Sequence, residues 1–124
     1  MLIDTSAWVE FLLGSKNGAE VRERINSEAC YSSIVTIAEL SNWTQRENQE
    51  TERIIAVVKE LSAVIGLDAD IAVLAGTLNF NRKKEKRKWG MMDSMILATA
   101  MMYGMEILTC DNDFTDVSKV TVLR

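Results

Sequence analysis

Four acids in this chain stand where an ordinary solvated carboxylate is not expected. Asp4 ends the apolar run Leu2–Asp4, and Asp111 follows the run Ile107–Cys110; each precedes a turn into the next element. In a parallel sheet this is the carboxyl edge, where open α/β folds place their ligands. Glu39 lies within SIVTIAELSNW with apolar neighbours on both sides, where a lone buried carboxylate is expensive unless paired or metal-bound. Asp93 directly precedes the apolar stretch SMILATAMM. Each acid also has a plain reading: Glu39 as a half-exposed helical residue, Asp93 as an N-cap or first-turn acid. Asp68 opens a helix with Asp70 two residues on, and N-capping explains it fully, so it is set aside. Jointly the four can converge from four separate elements on one crevice, where they would repel one another unless a divalent cation sat between them. All-oxygen ligation suits Mg²⁺ or Mn²⁺. Such an ion, or a pair, lowers the pKa of a bound water and stabilises in-line displacement at a phosphodiester, which is nuclease chemistry.

The elements that must position these acids follow from periodicity. Short apolar or β-branched runs at Leu2–Asp4, Cys30–Ser33, Val64–Leu67, Ile107–Cys110 and Val120–Leu123 alternate with helical patterns. That alternation predicts βαβ units and a mostly parallel sheet of about five strands covered on both faces, a three-layer α/β/α domain. Helices are expected over Ala7–Leu13, capped by Thr5 or Ser6, and over Ala19–Asn26, Val35–Gln45 and Thr51–Ser62. A fifth starts at Asp68 and a sixth spans Ser94–Tyr103, closed by Gly104 in the position of a left-handed cap. Proline is absent, so nothing interrupts them.

Length and composition bound the rest. The 124 residues, 48% of them apolar and without repeat or composition break, read as one globular domain over 1–124. With no histidine, the Ser-His-Asp and Cys-His triads and histidine-bearing zinc sites are excluded. Cys30 and Cys110 are too few for a four-sulfur cage or a disulfide framework and read as reduced thiols of a cytosolic protein. No apolar stretch reaches the roughly 20 residues of a membrane span, and MLIDTS leaves no room for a signal-peptide hydrophobic region. Hence a cytoplasmic, membrane-free protein is expected.

Formal charge is −4, but residues 82–88 read RKKEKRK, with six bases and one acid, leaving 8 bases against 17 acids elsewhere. The run is either a solvated segment or a contact for phosphates. In the second reading Arg82, Lys83, Lys84, Lys86, Arg87 and Lys88 hold the phosphates of a nucleic acid, RNA under the resemblance given next, beside an acidic site that would otherwise repel them, with binding that weakens as salt rises.

LIDTSAWVEFL, SSIVTIAEL and GMMDSMILATAMMYGMEILTCDNDF together resemble the PIN-domain ribonucleases, most closely the VapC-like toxins of prokaryotic toxin–antitoxin pairs, and the likeness runs end to end. The resemblance implies a metal-dependent endoribonuclease, inhibited by a small antitoxin and often dimeric. It implies that Asp4, Glu39, Asp93 and Asp111 hold the metal, with Asp113 as an accessory acid. Thr5, Ser6 and Thr109 then help arrange the carboxylates, and metal-bound water attacks to leave a 5′-phosphate and a 3′-hydroxyl. Six of seven methionines lie between Met91 and Met105, as adaptable core packing or as a self-association surface. Trp8, Trp43 and Trp89 read as packing residues, Trp89 also as a neighbour of RNA. Two other readings stand beside the nuclease: a PIN-like module that binds RNA or protein without cleaving, and a Mg²⁺-dependent receiver domain. The receiver needs a mid-chain phosphoacceptor aspartate and a late strand-end lysine, and neither is present.

Overall fold

Two short central strands serve two cores. In β1 (Leu2–Ile3) and β4 (Ile107–Thr109), Leu2 pairs with Ile107 and Ile3 with Leu108. Successive strand residues face opposite sides, so Leu2 and Ile107 enter one core while Ile3 and Leu108 enter the other. All four are essentially without solvent contact. A strand covered on both faces carries a continuous apolar run, which is why these segments lack polar alternation. Truncating one such side chain to alanine is expected to cost about 2–5 kcal/mol, a large part of a small domain's net stability.

The computed structural model describes residues 1–124. With β2 (Tyr31–Ser33), β3 (Ala63–Ile65) and β5 (Val120–Val122), the sheet order is β3-β2-β1-β4-β5 and every neighbouring pair is parallel. Helices α1 (Thr5–Leu13), α2 (Lys16–Ser27), α3 (Ile34–Arg46) and α4 (Thr51–Leu61) bring Trp8, Val21, Leu40, Trp43 and Val58 to the core on the Ile3 face. On the Leu2 face α6 (Met91–Tyr103) contributes Ile96, Leu97 and Ala100, and α5 (Ala69–Arg82) packs on α6 through Ile71, Ala75 and Ala98. The result is the expected three-layer α/β/α arrangement. The chain steps from β1 outward to β3, then returns to the other side of β1 for β4 and β5. Strand order therefore reverses between β1 and β4, and the crevice outside their carboxyl ends is where such sheets hold ligands. No helix is long and apolar enough to cross a membrane.

All five predicted strands form, each shorter than its apolar run. The connection from β4 to β5 is unusual, because parallel neighbours are ordinarily joined through a helix over a dozen or more residues. Here a single 3₁₀ turn, Asn112–Phe114, is anchored by the buried Phe114, and Lys119 at φ 59° leads the chain into β5. Helix α1 starts at Thr5 rather than Ala7. Neither Thr5 nor Ser6 caps it: Asp4 holds the cap position without a side-chain cap bond, because the two hydroxyls are engaged by carboxylates. Helix α2 starts at Lys16 behind a Ser15 cap. It lies so close to α1 that a Cβ on Gly18 would sit 2.1 Å from the Glu10 carbonyl oxygen. Gly104 closes α6 in the left-handed region, as expected.

Candidate active site

Asp4 leaves β1 at the switch point, tied to β4 by its backbone N–H, which donates to the Leu108 carbonyl at 2.9 Å. Asp4 is 4% exposed. The Thr109 hydroxyl donates to Oδ2 at 2.6 Å and the Ser6 hydroxyl donates to the same oxygen at 2.9 Å, so these hydroxyls leave Oδ1 free. The two hydroxyls lie 3.0 Å apart and accept in turn from the backbone N–H groups of Asp111 and Cys110. One small polar cluster thus joins the β1–α1 junction to the end of β4. Thr5 faces the other way and donates to Glu39 Oε1 at 2.6 Å, with the Thr36 hydroxyl 3.0 Å from its own.

Glu39 is on α3, where Leu40 and Trp43 turn into the core and leave it half-buried. Asp93 lies in the first turn of α6, and its Oδ2 accepts the Gly90 N–H at 3.0 Å. Asp111 Oδ1 accepts the Asp113 N–H at 2.9 Å, a turn that directs the chain into the 3₁₀ segment. Asp4, Glu39, Asp93 and Asp111 line one crevice of about 320 Å³, in which only Val9 and Trp43 are apolar.

Electrostatics match that convergence. Burial raises the pKa of Asp4, against the lowering effect of the Thr109 and Ser6 hydroxyls, and the Asp111 charge adds to the rise. Glu39 is also raised, by burial first and by Asp4, despite its bond from Thr5. Asp93 is pushed up to about 6 by burial, with the charges of Asp4, Asp111 and Glu39 adding to it and the Gly90 N–H opposing. These groups feel one another, and no cation is bonded to any of them.

The donor set fits a hard divalent cation: oxygens only, all from carboxylates, with at least one oxygen left free. No three of them converge closely enough to cage an ion by themselves. Mg²⁺ does not require such a cage, since it keeps several waters and is commonly held by one or two carboxylates. Like charges with no cation between them hold apart. The receiver reading has no support here, for β2 and β3 end in Ser33 and Ile65, neither an aspartate.

The sequence pattern of the PIN domain matches residues 1–120. The chain belongs to the PIN domain family. Its relatives include a VapC ribonuclease, Mb1587, of Mycobacterium bovis and ribonuclease VapC11 of Mycobacterium tuberculosis. Each is 29% identical over 130 residues, covering 100% of this chain and 96% of the relative. Among solved structures, a toxin–antitoxin complex from Klebsiella pneumoniae superposes with a TM-score of 0.75 at 23% identity, over 98% of this chain and 95% of that one. DNA-bound VapBC from Salmonella typhimurium gives 0.75 at 21% identity, with the same coverage. The sarcin-ricin loop cleaving toxin VapC20 of M. tuberculosis gives 0.71 at 18%, over 94% of each chain. These structures share the fold.

In this PIN domain the other predicted site residues are placed differently from one another. Asp113 does not line the crevice; its backbone N–H holds Asp111, and its carbonyl accepts from Arg82. Within the basic run, Arg82 and Lys86 face Asp116, at 3.0 and 3.7 Å. Lys83, Lys84, Arg87 and Lys88 are exposed. Trp89 is fully buried and donates to the Ser94 hydroxyl at 2.6 Å, so it packs and offers no face to a base. Trp8 and Trp43 are buried too. The methionines divide: Met95 and Met105 pack against the core, whereas Met91, Met92, Met101 and Met102 are exposed. Core packing therefore accounts for only two of the six, because α6 buries its middle, Ile96–Ala100, and leaves both ends at the surface.

Besides Val9 of α1, three crevice residues on α3 escaped the sequence reading as site residues: Asn42, Trp43 and Arg46. The three on α3 lie three, four and seven residues after Glu39, so one face of the helix presents them together. Arg46 is the only cation lining the crevice. The spacing from Glu39 was the available signal.

Proposed function

We propose that this PIN-domain protein is a metal-dependent endoribonuclease, the toxin of a toxin–antitoxin pair. The reading rests on one observation: Asp4, Glu39, Asp93 and Asp111, from four separate elements, line a single polar crevice at the switch point of a parallel sheet. Its relatives of nearly full-length coverage are named ribonucleases, which supports RNA as the substrate. Solved structures of the same fold include toxin–antitoxin complexes, which supports a small antitoxin as partner. Mg²⁺ or Mn²⁺ would be held by the four carboxylates, directly or through water, and when bound would activate a water and offset charge on the phosphodiester.

The chain's own residues do the rest. Thr109 and Ser6 fix the rotamer of Asp4, and Thr5 fixes that of Glu39. The Gly90 N–H orients Asp93. Lys83, Lys84, Arg87 and Lys88, exposed on the segment leading to Asp93, hold RNA phosphates. Two free cysteines suit a cytoplasmic protein. Exposed Met91, Met92, Met101 and Met102 support association with a second copy, checked by a mass in solution of twice 13.9 kDa.

The deciding experiment is cleavage of structured and single-stranded RNA with Mg²⁺ or Mn²⁺ by the wild type, Asp4→Asn and Asp93→Asn. The wild type is expected to cut, leaving 5′-phosphates, and both variants and EDTA-treated protein to be inactive. Equal rates for all three proteins, or cutting that survives EDTA, would remove the mechanism. Replacing Lys83, Lys84, Arg87 and Lys88 by alanine is expected to flatten the salt dependence of RNA binding.

A further inference from the structure

Arg82, the last residue of α5, lies outside the crevice yet touches the two segments that deliver half of its acids. Its guanidinium donates to Asp116 through both terminal nitrogens, at 3.2 and 3.0 Å, and one of them also donates to the Asp113 carbonyl at 2.9 Å. The same group lies 4.0 Å from the centroid of the Trp89 ring. Its Nε is buried without a partner, so the orientation is dictated by the fork and the stack and leaves one donor unmet.

From this guanidinium two short paths reach the crevice. On one side, Asp113 donates its N–H to Asp111 Oδ1. On the other, buried Trp89 directly precedes Gly90, whose N–H holds Asp93 Oδ2 at 3.0 Å, and its indole bonds Ser94 one residue beyond Asp93. Trp89 also packs on Phe114 of the 3₁₀ turn, with ring centroids 4.8 Å apart. The β4–β5 connection has no helix to brace it, so whatever fixes this turn also fixes Asp111. We propose that Arg82 is a positioning residue of the nuclease site, clamping the turn that carries Asp111 against the start of α6 that carries Asp93. The inference rests on the nuclease reading above and removes Arg82 from the set of phosphate contacts.

The chemistry requires arginine. A lysine keeps the charge but has neither the planar face for Trp89 nor the fork that engages Asp116 and the Asp113 carbonyl together. The Arg82 side chain is 14% exposed, so a phosphate would have to displace an acid already in place.

Arg82→Ala, Arg82→Lys, Asp116→Ala and the Arg82→Ala/Asp116→Ala double variant test this, with three readouts: kcat and KM for RNA, the salt slope of RNA binding, and amide exchange followed by NMR. Expected is a kcat about tenfold lower for both Arg82 variants, the scale of loss for groups that orient ligands, with KM and salt slope unchanged. Asp116→Ala should fall in the same direction, and the double variant should be no worse than Arg82→Ala, as for two parts of one unit. Exchange at the Asp113 N–H should quicken in all variants while the Leu2 N–H stays protected. A phosphate contact gives the opposite signs: Asp116→Ala binds RNA more tightly with kcat intact, Arg82→Lys behaves as wild type, and Arg82→Ala flattens the salt slope. Any of these overturns the clamp. Asp116 is half-exposed, so its variant keeps the test usable if Arg82→Ala fails to fold. Should the wild type cut no RNA, the nuclease reading fails by itself, and unchanged exchange at Asp113 would separately overturn the clamp.

Discussion

The acids at the two edges of the sheet are in contrasting states. At the amino edge Glu106, one residue before β4, is bonded by Arg24 of α2 and accepts the Thr121 hydroxyl at 2.9 Å, while Arg24 also pairs with Glu28 at 2.9 Å. Partial burial works against the Glu106 charge, yet the Thr121 bond and Arg24 prevail and its pKa is lowered. At the carboxyl edge Asp4, Glu39 and Asp93 are all raised, by burial first, and are held by hydroxyls and backbone N–H groups with no cation bonded to them. Similar acids, a few strand residues apart, are thus matched at one end and left unmatched at the other. A folded chain has no structural need for the second arrangement. Under the proposed nuclease reading the gain comes when a divalent cation is bound, at the edge that holds the unmatched acids.

The sharpest way to break this contrast is to remove an unmatched acid. Asp111→Asn is expected to lower RNA cleavage by more than about 100-fold, beyond the loss typical of groups that only orient a ligand. Asp113→Asn, whose side chain is outside the crevice, should cost at most about tenfold; a reversed order would move the site toward the 3₁₀ turn. Next in size, Thr109→Val removes one of two hydroxyls on Asp4 Oδ2 and should reduce cleavage about 10–100-fold with the fold retained, read from kcat alongside circular dichroism.

The stability predictions carry opposite pH signs at the two edges. Asp93 holds its proton up to about 6 in the folded chain, against the usual 3.8, so ionisation penalises the metal-free fold as pH rises through that window. Asp93→Asn should therefore raise the Tm of metal-free protein at pH 7.5 by about 3 °C, with the gain absent near pH 3.5. Saturating Mg²⁺ should reverse the ranking, because it stabilises only the protein that binds it. Smallest is Arg24→Ala at the matched edge. It should cost at most about 1 kcal/mol at pH 7, given the exposure of its pairs, and leave cleavage intact. With a lowered Glu106, that contribution is present at neutral pH and lost as pH falls below the usual 4.5. Denaturant titrations at pH 7 and pH 3 measure it.

What could be read from the residues alone was whatever depends on local pattern. Two-faced strands give apolar runs, so β1 and β4 were directly visible, whereas β2 (YSS) and β5 (VTV) carry polar residues and were placed by the alternation of short runs with helical patterns; the four acids that line the crevice were visible because they end or interrupt apolar stretches. Asp68 capping α5 through the Ile71 N–H was equally local. The misses depend on partners far along the chain. By local pattern Thr5 and Ser6 looked like helix caps, and only the family resemblance pointed them toward the carboxylates, because the carboxylate that occupies Thr5 is 34 residues away and the hydroxyl beside Ser6 is 103 away. Arg82 looked like part of a uniform basic run because Asp116, 34 residues on, is adjacent only after folding. The exposed ends of α6 were hidden for another reason: methionine suits core and surface alike, and only the position of the helix on the sheet decides between them.

The bond from Thr109 to Asp4 joins residues 105 positions apart. During synthesis, at ordinary rates of about 5–20 residues per second, Asp4 is therefore made some seconds before the residue that fixes it. A nascent chain stalled before β4 has Asp4, Glu39 and Asp93 but neither Asp111 nor the Thr109 hydroxyl, so under the proposed nuclease reading the site is assembled only once β4 has been made.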